Sequence, residues 1–176
     1  MIEPTSPPLG PAPSWRPLRR VDLPGLIPIA EVAHPALAER PEVFAEKWRL
    51  FPEGCFGADQ DGDLRGYAIA HPWVLNEIPP LDAFLLALPD PATCLYVHDV
   101  AILPSARGHG LAATLVDLWV QVARMRGLPA LSLVSVYGTF KLWSRLGFRD
   151  ASSAVPTSKL QSYGPTARYM IRPLAL

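Results

Sequence analysis

The chain has 176 residues, a length that suits one domain with a sizeable core. Sixteen basic residues balance sixteen acidic ones, which gives no electrostatic reason to expect a nucleic-acid or membrane partner. A hydrophobic content of 49% argues against disorder, and no apolar run is long enough to span a bilayer. The two cysteines, Cys55 and Cys94, lack the spacing of a disulfide framework or metal site, so a reducing, cytoplasmic location is expected.

Proline is concentrated at the start of the chain, where five of the 21 prolines fall within residues 1–13. This composition predicts an extended, flexible tail over residues 1–14, followed by a single domain over residues 15–176. The tail lacks the basic and apolar regions of a signal peptide. A monomer or a homodimer is expected.

The first half of the domain reads as two helices and three strands. A strand is predicted over residues 15–21, a helix capped by Asp22 over 23–33, and a helix over 40–51. Strands over 55–58 and 64–71 are joined by DQDGD, a hairpin signal. This stretch resembles the start of a calcium loop, but Leu64 and Ala70 stand where glycine and glutamate are needed, so no metal is expected.

The second half alternates strands and helices after a proline-rich loop over residues 72–93. Strands are predicted over 94–103 and 131–136, and helices over 110–126 and 139–146. Gly127 and Gly147 suit the ends of these helices, and residues 149–155 and 167–172 can form a last pair of strands. Two strand–helix units in a mixed pattern predict an α/β sheet with some antiparallel members.

The helix over residues 110–126 begins at the glycine turn ARGHG, which includes Arg107, Gly108 and Gly110. A helix start offers unpaired amides and partial positive charge, and glycines allow an anion to approach them closely. A P-loop is excluded because no lysine follows. The dinucleotide fingerprint G-x-G-x-x-A is met formally, but the turn is too long and the next strand ends without a carboxylate, so this remains a minor alternative.

Residues 100–112, VAILPSARGHGLA, resemble motif A of the GNAT acetyltransferases, [QR]-x-x-G-x-[GA], with Arg107, Gly110 and Ala112 in its three places. Residues 134–148, VSVYGTFKLWSRLGF, resemble motif B, and YMIRP resembles the last strand of that family. The resemblance implies a GNAT fold: a mixed, mostly antiparallel sheet of about six or seven strands with a splayed central parallel pair, flanked by about four helices.

The resemblance also implies acetyl-CoA as donor and direct transfer of acetyl to a primary amine of a small molecule or peptide. The diphosphate would bind the glycine turn, and the pantetheine would run as a pseudo-strand beside β-strand residues 100–102, with Trp143 against the arm. A non-catalytic acyl-CoA-binding module of the same fold is the alternative. The implied cofactor-binding residues are Val100, Ala101, Ile102, Arg107, Gly108, His109, Gly110, Leu111, Ala112 and Trp143.

Acyl transfer to an amine requires the neutral amine, which favours a general base. His98 is the predicted base, because members of the family carry a histidine at the same distance before the end of the strand. A regular strand would place His98 on one face with Val100 and Ile102, and Asp99 on the other face, where it would serve a structural role. The alternative is that His98 only orders the core.

Motif B departs from the family where a tyrosine usually protonates the leaving thiolate, because Trp143 occupies that position. Tyr137 is then the nearest phenol and the predicted acid, unless coenzyme A leaves unaided as a thiolate. Three further histidines are weaker predictions. His109 could touch a phosphate, although an exposed loop histidine is the favoured interpretation. His34 and His71 could line the acceptor site, although surface or packing roles are favoured for both.

Overall fold

A computed structural model describes residues 11–175, which form one seven-stranded sheet in the order β1-β2-β3-β4-β5-β7-β6. The central pair β4–β5 is parallel, and every other neighbouring pair is antiparallel. The predicted mixed sheet with a central parallel pair is therefore confirmed. The strands are β1 Ser14–Pro17, β2 Phe56–Gln60, β3 Asp63–Trp73, β4 Cys94–Ile102, β5 Ala130–Ser135, β6 Arg149–Asp150 and β7 Arg168–Pro173.

Helices cover both faces of this sheet. On one face, Leu115 and Trp119 of the long helix pack against Leu95, Val97 and other buried residues of the central strands. On the other face, a second core joins the two N-terminal helices to β3 and β4. The α-helices are α1 Leu26–Ala33, α2 Pro41–Leu50, α3 Leu111–Met125, α4 Phe140–Arg145 and α5 Thr157–Gln161.

The chain near Asp22 differs from the prediction. Its carboxylate accepts hydrogen bonds from the Arg19 amide at 2.7 Å and from Arg16 Nη1 at 2.7 Å, which folds the backbone into a 3-10 turn over Arg20–Gly25. The predicted strand over residues 15–21 therefore ends at Pro17. The α-helix predicted from residue 23 begins only at Leu26, because Pro24 lies within the turn.

Two other boundaries differ, and one helix is additional. β3 continues through Pro72 to Trp73, so the long loop begins later than predicted. The strand predicted over residues 149–155 is limited to Arg149–Asp150, and a 3-10 turn follows over Ser152–Ala154. The short helix α5 was not predicted. Most of the predicted flexible tail lies in residues 1–10, outside the described residues.

The sheet order rules out the dinucleotide-binding alternative. That fold is built on a doubly wound, mostly parallel sheet with a tight turn between the first strand and its helix. Here only β4 and β5 run parallel, and a 3-10 turn over Pro104–Ala106 separates β4 from the glycines. The match of Gly108, Gly110 and Ala113 to the G-x-G-x-x-A fingerprint therefore does not indicate a dinucleotide-binding fold.

His71 of β3 is fully buried, with its ring centroid 5.4 Å from that of Trp73 and 5.7 Å from that of His98. Its Nδ1 lies 3.0 Å from the Pro72 carbonyl oxygen, so this nitrogen carries the hydrogen. Burial, together with the smaller electrostatic influence of the nearby His98, lowers the pKa of His71 to about 3. The native protein therefore holds this imidazole neutral.

We expect Gly66→Ala to destabilise the protein, because a Cβ at Gly66 would lie 2.7 Å from the Ala101 carbonyl oxygen of β4. Overpacking of this kind typically costs about 1–3 kcal/mol in the free energy of unfolding. Urea denaturation measures the loss. Gly25→Ala is the matched control: its Cβ would meet Leu64 at an ordinary 3.5 Å, so a change within about 0.5 kcal/mol is expected. Equal losses in both variants would contradict the close approach of β3 and β4.

We also expect His71 to make stability depend on pH. An unfolded chain protonates this imidazole near pH ~6.5, whereas the native state resists protonation down to a pKa of about 3. The unfolded state therefore binds more protons as pH falls below ~6.5, and the free energy of unfolding decreases by up to about 1.4 kcal/mol per pH unit. Urea denaturation between pH 7 and pH 4.5 should show a shallower slope for His71→Gln. An unchanged slope would show that His71 is protonated in the native state.

Candidate active site

The site begins where β4 and β5 separate. Parallel pairing joins Leu95, Tyr96 and Val97 to residues 131–133 and then stops, although β4 continues to Ile102. Pro104 follows soon after the end of β4 and begins a 3-10 turn. A wedge-shaped gap therefore opens between the carboxyl ends of the two parallel strands.

A β-bulge in β4 lies at the same level. In the pairing with β3, Ile69 faces Asp99 while Ala70 faces Val97, so His98 is the extra, unpaired residue. A bulge of this kind bends the strand and re-aims its side chains. The bulge marks the level at which β4 leaves β5.

The bulge makes the predicted alternation of β4 wrong. Val97 and Val100 both pack in the core under α3, whereas Asp99 reaches Tyr67 on the opposite face. The side chain of His98 also lies on that opposite face, and its ring centroid is 5.7 Å from that of His71. His98 and Asp99 therefore lie on the same side of the sheet, and Val100 and Ile102 do not share it.

One cavity of about 620 Å³ fills the gap between the strands. It reaches from the glycine turn at the start of α3 to the loop that follows α1, and α4 closes one side. Its lining includes His34, Glu39, His98, Asp99, Val100, Ile102, Arg107, Gly108, Gly110, Leu111, Ala112, Tyr137 and Trp143.

The glycine turn presents bare amides to this cavity. Gly108 has φ +84° and Gly110 has φ +71°, left-handed conformations that favour glycine. Within the described residues, the backbone N–H groups of residues 108–112 have no hydrogen-bond partner, and those of Arg107 and Ala113 are the nearest that do. A Cβ at either glycine would meet no atom within 4 Å, so open space adjoins the turn.

The free edge of β4 also presents backbone groups to the cavity. The bond from the Leu103 amide to the Arg65 carbonyl sets the pairing phase with β3, so Ala101 faces β3 while Val100 and Ile102 face the gap. Ala101 was expected to pair with the cofactor, and this geometry corrects that expectation.

Side chains already contact both carbonyl groups of the free edge. Arg107 Nε donates to the Ile102 carbonyl oxygen at 3.1 Å, and His34 Nε2 lies 2.9 Å from the Val100 carbonyl oxygen. The Arg107 guanidinium thus lies beside the cavity at the foot of the glycine turn. His109 does not line the cavity, and its Nδ1 lies 3.2 Å from the Ala106 carbonyl oxygen.

His98 is paired with a carboxylate that the sequence did not single out. Its Nε2 lies 2.8 Å from Glu39 Oε1, and its side chain is 1% exposed. Because Nε2 faces a carboxylate, it carries the hydrogen, and Nδ1 is left buried without a partner. Glu39 Oε2 accepts from the Asp82 amide at 2.9 Å, so the pair also holds the long loop.

A second histidine–carboxylate pair lines the same cavity. His34 Nε2 lies 2.8 Å from Asp99 Oδ1, and Tyr67 donates its hydroxyl to Asp99 Oδ2 at 2.6 Å. Burial opposes the charge on Asp99, but the hydrogen bonds of His34 and Tyr67 outweigh it and hold the pKa of Asp99 below its usual value. Burial likewise opposes the charge on His34, and Asp99 outweighs it and raises the pKa of His34.

Tyr137 spans the gap from the β5 side. Its ring stacks on His34 with centroids 5.6 Å apart and planes inclined by 17°, and its hydroxyl accepts from the Ala36 amide at 3.3 Å. Trp143 of α4 lines the cavity and packs edge-on against Phe148. Both aromatic residues named from the sequence thus lie at the cavity.

The long loop before β4 is anchored to α2 by buried charges. Glu46 accepts the amides of Leu85 and Leu86 at 2.8 Å, and Lys47 donates to the Ala83 carbonyl oxygen at 3.1 Å. Lys47 is fully buried, and burial lowers its pKa. The loop residues do not line the cavity. His71 does not line it either, and its buried ring packs beside Trp73 and Tyr96 instead of reaching an acceptor site there.

Sequence reasoning missed Glu39, Tyr67 and the true orientation of Asp99. Glu39 precedes Pro41 in a connecting segment, where a single glutamate gives no signal. A bulge likewise has no signature in the string YVHDVAI. Within the described residues, no group of three His, Cys, Asp or Glu side chains could hold a metal ion. None of the helices described combines the length and apolar character that crossing a bilayer needs.

Comparison with solved structures gives the same architecture at low identity. The GNAT-like decarboxylase GphF in complex with isobutyryl-CoA has 16% identity and a TM-score of 0.72, covering 92% of this chain and 100% of that one. Ard1 from Thermoplasma volcanium has 14% identity and a TM-score of 0.68, with coverage of 94% and 99%. The ribosomal-protein-S18-alanine N-acetyltransferase from Escherichia coli has 20% identity and a TM-score of 0.62, with coverage of 93% and 95%.

No curated protein sequence matches the chain. A family model does: the model described as the acetyltransferase (GNAT) family matches residues 15–148, a range that includes the separated strands, the glycine turn and α4. This range is more than half of the chain, and the splayed parallel pair with its cavity agrees with it. The chain belongs to the GNAT acetyltransferase family.

Proposed function

We propose that this protein is an N-acetyltransferase that moves the acetyl group of acetyl-CoA directly to a primary amine of a small molecule or peptide. The observation that carries the proposal is the single cavity that connects the unpaired amides of residues 108–112 to two histidine–carboxylate pairs. An anion-binding turn and proton-accepting groups in one cavity meet the two requirements of the reaction.

The glycine turn would bind the diphosphate of coenzyme A. Its amides point from the N-terminus of a 15-residue helix, whose dipole favours negative charge at that end. Arg107, Gly108, Gly110, Leu111 and Ala112 line the cavity there, whereas His109 lies outside it. The solved relative GphF, which is complexed with isobutyryl-CoA, supports the use of an acyl-CoA by this fold.

The pantetheine arm would lie along the free edge of β4. Val100 and Ile102 turn their backbone groups into the gap, and their N–H groups can donate hydrogen bonds to a ligand as they would to a neighbouring strand. Each carbonyl oxygen has a second lone pair beyond the one that His34 or Arg107 uses. Trp143 would pack against the arm from α4, on the opposite wall of the cavity.

The acceptor amine would enter at the end of the cavity that His34, Glu39 and His98 line. An amine with a pKa near ~10.4 is mostly protonated at neutral pH, so a proton acceptor increases the reactive fraction. Two histidines at this end, His98 and His34, are the candidates for that role. Tyr137 is the nearest phenol that could protonate the leaving thiolate, since Trp143 cannot do so.

The decisive measurement is turnover of acetyl-CoA with a panel of primary amines, followed by thiol release and by mass of the product. Acetylated amine together with stoichiometric free coenzyme A would support the proposal. Tight binding of acetyl-CoA with no thiol release for any amine or peptide would instead favour the non-catalytic acyl-CoA-binding module, for which the tryptophan at position 143 is the specific observation. Absence of both binding and release would contradict both functions.

We expect Gly110→Ala to weaken coenzyme A binding about 10- to 100-fold, because the added methyl group disturbs the amides that hold the anion and each charge-assisted hydrogen bond contributes ~1.5–3 kcal/mol. Isothermal titration calorimetry measures the dissociation constant. Gly127→Ala is the matched control: Gly127 has φ +65°, and a Cβ there also meets no atom within 4 Å. Both variants carry the same backbone strain at opposite ends of α3. Equal affinities in the two would place the diphosphate elsewhere.

A further inference from the structure

We infer that His34, held by Asp99 and Tyr67, accepts the proton of the acceptor amine, and that His98 instead positions the long loop through Glu39. The inference rests on the proposed acyl transfer and assigns its proton acceptor. It reverses the expectation from sequence, which chose His98 and gave Asp99 a structural role on the opposite face. Four observations lead to it.

The first is the tautomer of His34. Its Nε2 faces two acceptors, Asp99 Oδ1 at 2.8 Å and the Val100 carbonyl oxygen at 2.9 Å. Two acceptors require a hydrogen on Nε2, so in the neutral ring Nδ1 holds the lone pair. Within the described residues this Nδ1 has no hydrogen-bond partner. The basic nitrogen of His34 is therefore uncommitted but buried, so a neighbouring side chain such as the stacked Tyr137 must shift before a substrate reaches it.

The second is the support behind the ring. Asp99 Oδ1 lies 2.8 Å from His34 Nε2, which also donates to the Val100 carbonyl oxygen, and Asp99 Oδ2 accepts the Tyr67 hydroxyl hydrogen. These contacts hold the carboxylate in one orientation. This carboxylate favours the imidazolium that proton transfer creates, as in other histidine–carboxylate catalytic pairs. The raised pKa of His34 is in keeping with this arrangement, since a base works best when its pKa lies near the working pH.

The third is position. His34 contacts Val100 on the free edge of β4, the edge along which the acyl arm would lie. The side chain of His34 is 16% exposed, whereas that of His98 is 1% exposed. Tyr137 stacks on the outer face of His34 and is itself 48% exposed, so it can move aside for a substrate. His34 therefore lies where the donor arm and the acceptor amine would meet.

The fourth is that Glu39 already connects His98 to the loop. One carboxylate oxygen of Glu39 takes the His98 hydrogen and the other takes the Asp82 amide. Glu46 and Lys47 hold the next residues of the same loop from α2. His98 thus belongs to a set of buried polar contacts that places this loop, and moving its ring toward a substrate would break that set.

The step balances with the groups present. The neutral amine attacks the thioester carbon, the C–N bond forms, and the carbonyl π pair moves to oxygen while His34 Nδ1 takes a proton from nitrogen. The oxyanion pair then re-forms the C=O bond and the C–S bond breaks, with its electron pair leaving on sulfur. The thiolate takes a proton from the exposed Tyr137 phenol, and the phenolate regains one from water. The His34 imidazolium releases its proton to water when the product leaves.

The test compares His34→Gln with the matched variant His98→Gln in the full chain, using the best amine of the panel. For His34→Gln we expect kcat to fall about 10²–10⁴-fold, the size of a general-base contribution, with the coenzyme A dissociation constant within threefold of wild type. Added imidazole should restore part of the activity, which it would not do for a structural defect. In His98→Gln the acidic limb of the kcat/KM profile should persist, and imidazole should have no effect.

Asp99→Asn tests the His34–Asp99 pair through the pKa of His34. Because the negative charge of Asp99 raises the pKa of His34, its removal should move the acidic limb of the kcat/KM profile to lower pH. If Asp99→Asn does not fold, NMR titration of wild type serves instead: the His34 imidazole, assigned by its absence in His34→Gln, should titrate at the pH of the acidic limb. A limb that disappears in His98→Gln and persists in His34→Gln would overturn the inference. Wild-type protein that releases no thiol with any amine would instead overturn the proposed function.

Discussion

The separation of β4 from β5 is the constraint on which the rest of the site depends. Pairing stops after Val97, and the bulge at His98 lies at the same level. An unpaired strand edge in the middle of a sheet is costly unless something else satisfies its backbone groups. His34 and Arg107 take the two carbonyl oxygens of this edge, and the N–H groups beside them remain for a ligand. The groove therefore exists because the hydrogen-bonded ladder between β4 and β5 is incomplete.

The bulge also explains how two histidine–carboxylate pairs come to lie in one cavity. A regular β4 would send Asp99 to the α3 face, into an apolar core where an unpaired carboxylate is very costly. With the extra residue, Asp99 turns to the face that carries Tyr67 and His34, and both of its oxygens are satisfied. Other buried charges nearby are satisfied in the same way, since each bonds to another side chain or to the loop backbone. They belong to Glu39, Glu46 and Lys47. The polar groups on this side of the sheet are therefore held in defined positions rather than solvated.

The glycine turn and motif B contribute unequally to the proposed chemistry. The turn has the features that an anion site requires, namely left-handed glycines, unpaired amides and a long helix that begins there. Motif B keeps its helix but has Trp143 at the usual tyrosine position, and the nearest phenol is Tyr137, stacked on His34. The groups proposed to transfer protons therefore lie on the α1 side of the gap, near the buried carboxylates. The α4 side contributes apolar packing.

Local sequence signals determined much of this protein. The order of strands and helices, the parallel central pair and the glycine turn at the start of α3 followed from periodicity, glycine placement and the motif at residues 100–112, because these depend on residues close together in the chain. Tertiary structure alone decided which groups lie in position for the proposed proton transfer. The bulge that reorients Asp99 arises from register with β3, and Glu39 meets His98 across 59 positions of sequence. Neither leaves a local pattern, since each depends on partners that only folding brings together and whose pairing offsets the cost of burying the charges.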